Sequence, residues 1–223
     1  MNIKLTSKAQ ALKHVESKLS KFKVPDLLFF KASAFKKSPL VIVDEIKKYF
    51  KGQTIIVRSS AADEDGELSA AAGEYDSVLN VSSDNQEDII SAINRVTSSF
   101  ENKRPCHIDD EFIVQEMVKN TSMSGVVFTH DLNTGAPYYV INYDDVSGLT
   151  DTVTSGEGQY SNRTLYMHRG SLDLVRSDRF LILLKAIQEL EQVLDSKFLD
   201  VEFALSDDLS PYLLQVRAIT TQP

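Results

Sequence analysis

Four side chains near the carboxyl end have the types and spacing for chemistry on a phosphate. Asp200 and Glu202 stand two apart in Leu199-Asp200-Val201-Glu202-Phe203-Ala204, and Gln215 and Arg217 stand two apart in Tyr212-Leu213-Leu214-Gln215-Val216-Arg217. Both stretches alternate as strands do, and Asp207-Asp208-Leu209-Ser210 reads as the loop joining them. With Ser206 facing Pro211, the register pairs Ala204 with Leu213, Glu202 with Gln215 and Asp200 with Arg217. Alternation puts all four pairs on one face. The opposite face then holds Val201, Phe203, Leu205, Tyr212, Leu214 and Val216, all apolar. A slip of one residue would drive the charges into the core, so the parity is fixed. Two carboxylates, an amide oxygen and a guanidinium suit magnesium, which takes hard oxygens, and phosphate, which Arg grips by parallel hydrogen bonds. The bland alternative is a solvated sheet face whose cross-strand pairs stabilise by roughly 0.2–1 kcal/mol each.

A second candidate is Arg58. Thr54 to Val57 is β-branched and apolar, and the expected strand ends in Arg58-Ser59-Ser60 before Asp63-Glu64-Asp65-Gly66 and Ala70-Ala71-Ala72-Gly73. Small residues allow close backbone approach. The functional expectation is a flap over polyphosphate with Arg58 as a contact; the bland one pairs Arg58 with the acidic run.

Elements must position these groups. Helical spacing is expected over Ser7–Phe22, Val41–Phe50, Gln86–Phe100 and Phe180–Leu194. Strands are expected at Leu27–Phe30, Val78–Val81, Phe112–Val118, Gly125–Thr129 and Pro137–Tyr143, besides those above. Ser83 or Asp84 is expected to cap the third helix. Asn102 to Asp110 has the composition of a linker, which divides the chain into 1–110 and 111–223. The class is α+β.

Composition narrows the function. The 223 residues carry 24 basic and 32 acidic side chains, a net charge of −8, which argues against nucleic-acid binding through bulk charge. One cysteine, Cys106, excludes an internal disulfide framework and fits a reducing cytoplasm. No apolar run approaches a membrane span, and the amino terminus does not lead into a signal-peptide core. There is no P-loop.

Val57-Arg58-Ser59-Ser60-Ala61, Ala72-Gly73-Glu74-Tyr75 and Leu79-Asn80-Val81 resemble, in order, the nucleotide-binding domain of phosphoenolpyruvate synthase and pyruvate phosphate dikinase. So do Val114-Gln115-Glu116-Met117-Val118, Ser124-Gly125-Val126-Val127-Phe128-Thr129 with Asn133-Thr134-Gly135, and the closing Asp200–Ala204 and Leu214–Thr220. The resemblance implies an ATP-grasp fold, two α+β lobes that clamp Mg-ATP. It implies Arg58, Arg217 and Lys8 as phosphate contacts and Gln115, Glu116, Met117 and Val118 as the hinge around adenine. Glu202 and Gln215 would ligate Mg²⁺, with Asp200 in or just behind that shell.

The chain departs from the family's pattern. The family opens with Gly-Gly-Lys, here Thr6-Ser7-Lys8, and its glycine-rich segment reads Val146 to Gly156 here. These changes point to a divergent phosphotransferase such as the rifampin phosphotransferases or, favoured, the glutamine kinase of capsule biosynthesis. Family enzymes carry a separate histidine domain that relays the phosphoryl group to an acceptor domain. None of His14, His107, His130 and His168 lies in its Thr-Ser-His setting, so both would be partners outside this chain. His130 is expected at a surface or cleft, and Tyr138-Tyr139 to pack on both faces of a strand. The alternatives are a phosphoenolpyruvate- or rifampin-type acceptor, a non-catalytic nucleotide module, or an unrelated α+β binding domain.

Overall fold

A computed structural model describes residues 7–60, 77–101, 110–150 and 163–219. The expectations placed on the 61–76 flap, on Cys106 and His107, on 151–156 and on Thr220 lie outside them. In chain order the elements are α1 (Lys8–Glu16), β1 (Leu27–Lys31), α2 (Ala32–Lys37), α3 (Pro39–Tyr49), β2 (Thr54–Ser60), β3 (Ser77–Ser82), α4 (Gln86–Glu101), β4 (Glu111–Glu116), β5 (Thr121–Phe128), β6 (Tyr138–Asp144), β7 (Arg163–His168), α5 (Asp178–Leu194), β8 (Leu199–Ser206) and β9 (Pro211–Ala218). They form two units, Pro25–Met117 and the combination of Met1–Val24 with Val118–Pro223.

In the Pro25–Met117 unit, β1-β4-β2-β3 make an antiparallel sheet. Alternation along β2 and β4 sends Ile55, Val57, Phe112 and Val114 to one face, where they bury against Ile42, Val43 and Ile46 of α3 and Ile89, Ile93 and Val96 of α4. Pro39 opens α3 at a position whose amide has no helical partner. The cap of α4 is Asn85, whose Oδ1 accepts from the Glu87 N–H at 3.0 Å, rather than Ser83 or Asp84. Those two brace the preceding turn instead. The Ser83 hydroxyl donates to the Phe50 carbonyl at 2.6 Å, and Asp84 accepts from the Gly52 N–H.

Two expectations are corrected here. The 110/111 boundary fails because β4 lies between β1 and β2. Composition marks where a chain is polar; sheet membership follows the register in which Phe112 and Val114 complete the core. Arg58 does not follow the strand but lies within it, paired with Ile113 of β4 and Ser77 of β3.

The other unit is an antiparallel sheet ordered β7-β6-β5-β8-β9. Phe180, Leu183, Ile187 and Leu190 form the buried stripe of α5, which packs on β8 and β9. Helix α1 stops at Glu16, well short of Phe22, and packs on β9 through Ala9, Ala11, Leu12 and Val15. The chain then ties itself to the same sheet: the Lys23 N–H donates to the Pro211 carbonyl, and the Leu213 N–H donates to the Lys23 carbonyl, both at 2.9 Å. Strand β7 was not foreseen; Arg163-Thr164-Leu165-Tyr166-Met167-His168 is an edge strand with little burial to mark it.

Candidate functional site

The β8–β9 hairpin carries the candidate set. Asp200 faces Arg217 and Glu202 faces Gln215, as the alternation predicts. Nearer the loop the pairing differs: Phe203 faces Leu213, Ala204 faces Tyr212 and Leu205 faces Pro211. Leu214 is an extra residue, a bulge, so Tyr212 moves to the polar face and Leu213 to the core face, where it is fully buried. The polar end is untouched by this shift.

That polar end is not a solvated face. Asp200 and Gln215 are buried, and Glu202 is half-buried. Arg217 Nε donates to Asp200 Oδ2 at 2.6 Å. Burial pushes the Asp200 carboxyl above its usual range, opposed by the charge and hydrogen bond of Arg217 and, more weakly, by Lys8. Glu202 adds a like charge that pushes the same way. Lys8, at the first turn of α1, is thus brought into the electrostatic neighbourhood of the hairpin although it stands 192 positions before Asp200 in sequence (200 − 8). Gln215 Oε1 is buried and accepts no hydrogen bond. A buried, unsatisfied acceptor costs free energy, and a hard cation held with Glu202 would satisfy it. The donor set therefore fits Mg²⁺: Glu202 and Gln215 as ligands, with Asp200 engaged by Arg217 behind them. Among the described residues no three His, Cys, Asp or Glu side chains cluster as a metal site, so the set rests on two carboxylates and an amide.

The remaining candidates belong to the Pro25–Met117 unit, apart from Val118. Gln115 lies in β4 opposite Ile56, two positions along β2 from Arg58, so both side chains are on the face away from the helices. Gln115 is 2% exposed, and its Nε2 has no hydrogen-bond partner. The next two amides are engaged: Glu116 N–H donates to Asp26 at 2.9 Å and Met117 N–H to Thr54 at 3.0 Å. The chain passes from one unit to the other between Met117 and Val118, inside the segment expected as a hinge.

One buried cluster had no sequence signal. Arg169 forms a two-pronged pair with Glu191 at 2.6 and 2.8 Å, donates to the Thr129 carbonyl at 2.8 Å and stacks over Tyr139. The Tyr139 hydroxyl donates to Glu191 at 3.2 Å, and burial first, then the Glu191 charge, pushes its pKa up to about 12. Tyr138, on the other face, packs its ring edge-on against His168 at 5.3 Å and is 37% exposed. His130 stacks on Phe198 and bonds the Lys197 carbonyl at 2.8 Å; burial lowers its pKa.

Two α+β units with these sheets define the ATP-grasp class. The structure resembles D-alanyl-alanine synthetase A from Vibrio cholerae, with a TM-score of 0.53 and 16% identity over 96% of this chain and 54% of that one. It also resembles the VanG D-Ala:D-Ser ligase from Enterococcus faecalis, at 0.50 and 13%, over 96% and 52%. Residues 32–179 match the family described as pyruvate phosphate dikinase, AMP/ATP-binding domain, and the chain belongs to that family. It carries that family's AMP/ATP-binding domain. The matched span includes Arg58 and Gln115–Val118; Lys8 and the β8–β9 hairpin fall outside it. The prodigiosin synthesizing transferase PigC of Serratia marcescens is 27% identical over 82% of this chain, which spans 24% of that protein. Among the described residues no helix is long and apolar enough to cross a membrane.

Proposed function

We propose that this chain is the Mg-ATP-binding part of a phosphotransferase. The phosphoryl group passes from ATP to a histidine on a separate domain and from there to a small acceptor, for which the divergent glycine-poor segments favour the glutamine amide. The observation that carries this is the buried polar end of the β8–β9 hairpin, with its orphaned Gln215 oxygen beside Glu202 and the Asp200–Arg217 pair. Glu202 and Gln215 would hold Mg²⁺, which when bound would supply charge neutralisation for the polyphosphate; Arg217, fixed by Asp200, and Lys8 would hold phosphate oxygens. Phosphoryl transfer needs this alignment and charge neutralisation more than covalent help. Arg58 and Gln115–Val118 contribute phosphate and adenine contacts. In the family the group moved is the β-phosphoryl, with water taking the γ-phosphoryl group, so that AMP and phosphate are left.

A second reading concerns the acceptor only. The relative's name describes a transferase that synthesises prodigiosin, which favours an acceptor other than glutamine.

The test is thermal unfolding of the wild type and Glu202→Ala with and without Mg-ATP. At about a hundred times its Kd the ligand stabilises by roughly 2.7 kcal/mol, a shift of several degrees. A magnesium-dependent shift that Glu202→Ala abolishes supports the reading. Absence of a shift in folded wild type at saturating Mg-ATP overturns it.

A further inference from the structure

The turn that feeds β8 is clasped by two consecutive residues, Thr129 and His130, which follow β5. Thr129 is wholly buried. Its hydroxyl donates to the Lys197 carbonyl at 2.6 Å and accepts from the Leu199 N–H at 2.7 Å. Its backbone N–H donates to the Leu199 carbonyl at 2.9 Å, so Leu199 is held through both its N–H and its carbonyl. His130 Nδ1 bonds the same Lys197 carbonyl at 2.8 Å, and its ring stacks on Phe198 with centroids 4.2 Å apart. Arg169, locked by Glu191, donates to the Thr129 carbonyl at 2.8 Å and fixes the clasp from behind. The residue after Leu199 is Asp200, the partner of Arg217.

Strand ends open locally unless something ties them down. Asp200 stands at such an end, so the backbone at Leu199 sets where its carboxylate lies and, through it, where the Arg217 guanidinium lies. Groups that grip a ligand work only when held to about 0.5 Å by neighbours that are themselves locked. Packing alone does not call for the hydroxyl, since Val would fill the same space with no polar atom to satisfy. We infer that Thr129 is a positioning residue for the Asp200–Arg217 pair, acting through Leu199, with His130 as its second hold on the same turn. The inference rests on the proposed Mg-ATP function and deepens it. Thr129→Val orphans the buried Leu199 N–H and frees the start of β8. It is expected to weaken Mg-ATP binding about tenfold, the lower end of the loss when a group that orients a ligand residue is removed.

Calorimetry with Mg-ATP on the full chain compares the wild type, Thr129→Val, Thr129→Ser and Ile141→Val at a temperature where each is folded. Ile141 is buried in β6, two strands from β8, and its truncation reports the effect of lowered stability alone. Thr129→Ser keeps the hydroxyl, so it and Ile141→Val are expected to bind within about twofold of the wild type. Wild-type affinity in folded Thr129→Val overturns the inference. So does a loss in Thr129→Ser or Ile141→Val as large as that in Thr129→Val. If Thr129→Val does not fold, His130→Phe decides, since it keeps an aromatic ring beside Phe198 and loses only the bond to Lys197. That variant is expected to bind at least about twofold more weakly, and unchanged affinity overturns the inference. Failure of Mg-ATP to bind the wild type is a different outcome: it removes the proposed function, and this inference with it.

Discussion

Arg217 Nε holds Asp200 Oδ2 at 2.6 Å across one rung of the β8–β9 ladder. Asp200 is the more buried partner, and burial outweighs the guanidinium in setting its protonation. The pair is therefore asymmetric. Removing the cation leaves a buried carboxylate uncompensated, while removing the carboxylate leaves a cation that is about a quarter exposed.

Arg217→Met is expected to destabilise the protein at neutral pH by about 2–3 kcal/mol, below the full cost for a completely buried pair because Arg217 is partly solvated. Adding Asp200→Asn to it restores most of that. The sign with pH follows from the raised carboxyl. Its stability contribution is fully present below the unfolded pKa and lost as pH rises through the folded one, and without Arg217 that loss grows. The deficit of Arg217→Met therefore shrinks on acidification. Urea titrations of the wild type and the variants across pH check this; a deficit that widens at low pH counts against it.

Gln215 separates binding from folding. Its Oε1 has no partner, so the near-isosteric Gln215→Met removes a desolvation cost without breaking a bond. Unliganded stability is expected to stay equal or rise by up to about 1 kcal/mol, while the Mg-ATP shift collapses. Melting curves with and without Mg-ATP show both at once. A loss of unliganded stability would mean that Gln215 braces the sheet.

Gly125 is held to glycine by contact. A Cβ there would lie 2.0 Å from the Asn142 carbonyl oxygen and 2.8 Å from Tyr143 Cα, both backbone atoms of β6. Nothing flexible can yield. Gly125→Ala is expected to cost more than about 3 kcal/mol, at or beyond the upper end of ordinary overpacking, and to weaken the β5–β6 ladder. Hydrogen exchange of the β6 amides, set beside the global melt, locates the damage. A melt within a degree of the wild type refutes the steric account.

The polar end of the hairpin was legible because alternation makes a carboxylate on the core face too costly, which leaves one parity for Asp200, Glu202, Gln215 and Arg217. The Leu214 bulge was not, since every residue of Tyr212-Leu213-Leu214 is apolar and no contrast marks the extra one. Lys8 and β4 show a different limit. Their places depend on pairings between distant segments, and the polarity of 102–110 carries no information about which sheet Phe112 completes. The Arg169–Glu191–Tyr139 cluster combines residues from β6, α5 and the turn that follows β7, with no shared spacing. The motifs of the nucleotide family told of Arg58 and Gln115, but only the register put both on one face.

Tyr139 gives a test at the alkaline end. Its folded pKa of about 12 exceeds the ordinary phenol value of 10.0, because burial and the Glu191 charge oppose the phenolate. The folded state thus keeps a proton that the unfolded chain releases. Stability from this group is complete below the unfolded pKa and is lost as pH rises from about 10 through 12. Tyr139→Phe removes the titration. It also removes the hydrogen bond to Glu191, yet Arg169 still engages both oxygens of that carboxylate, so no charge is stranded. The variant is therefore expected to lose about 0.5–1.5 kcal/mol at pH 8, the ordinary contribution of one hydrogen bond. Between pH 10 and 12 its stability should fall less steeply than that of the wild type, so the two curves converge. Denaturant midpoints at stepped pH measure the slopes. Parallel curves over that range would mean that Tyr139 ionises as freely in the fold as outside it.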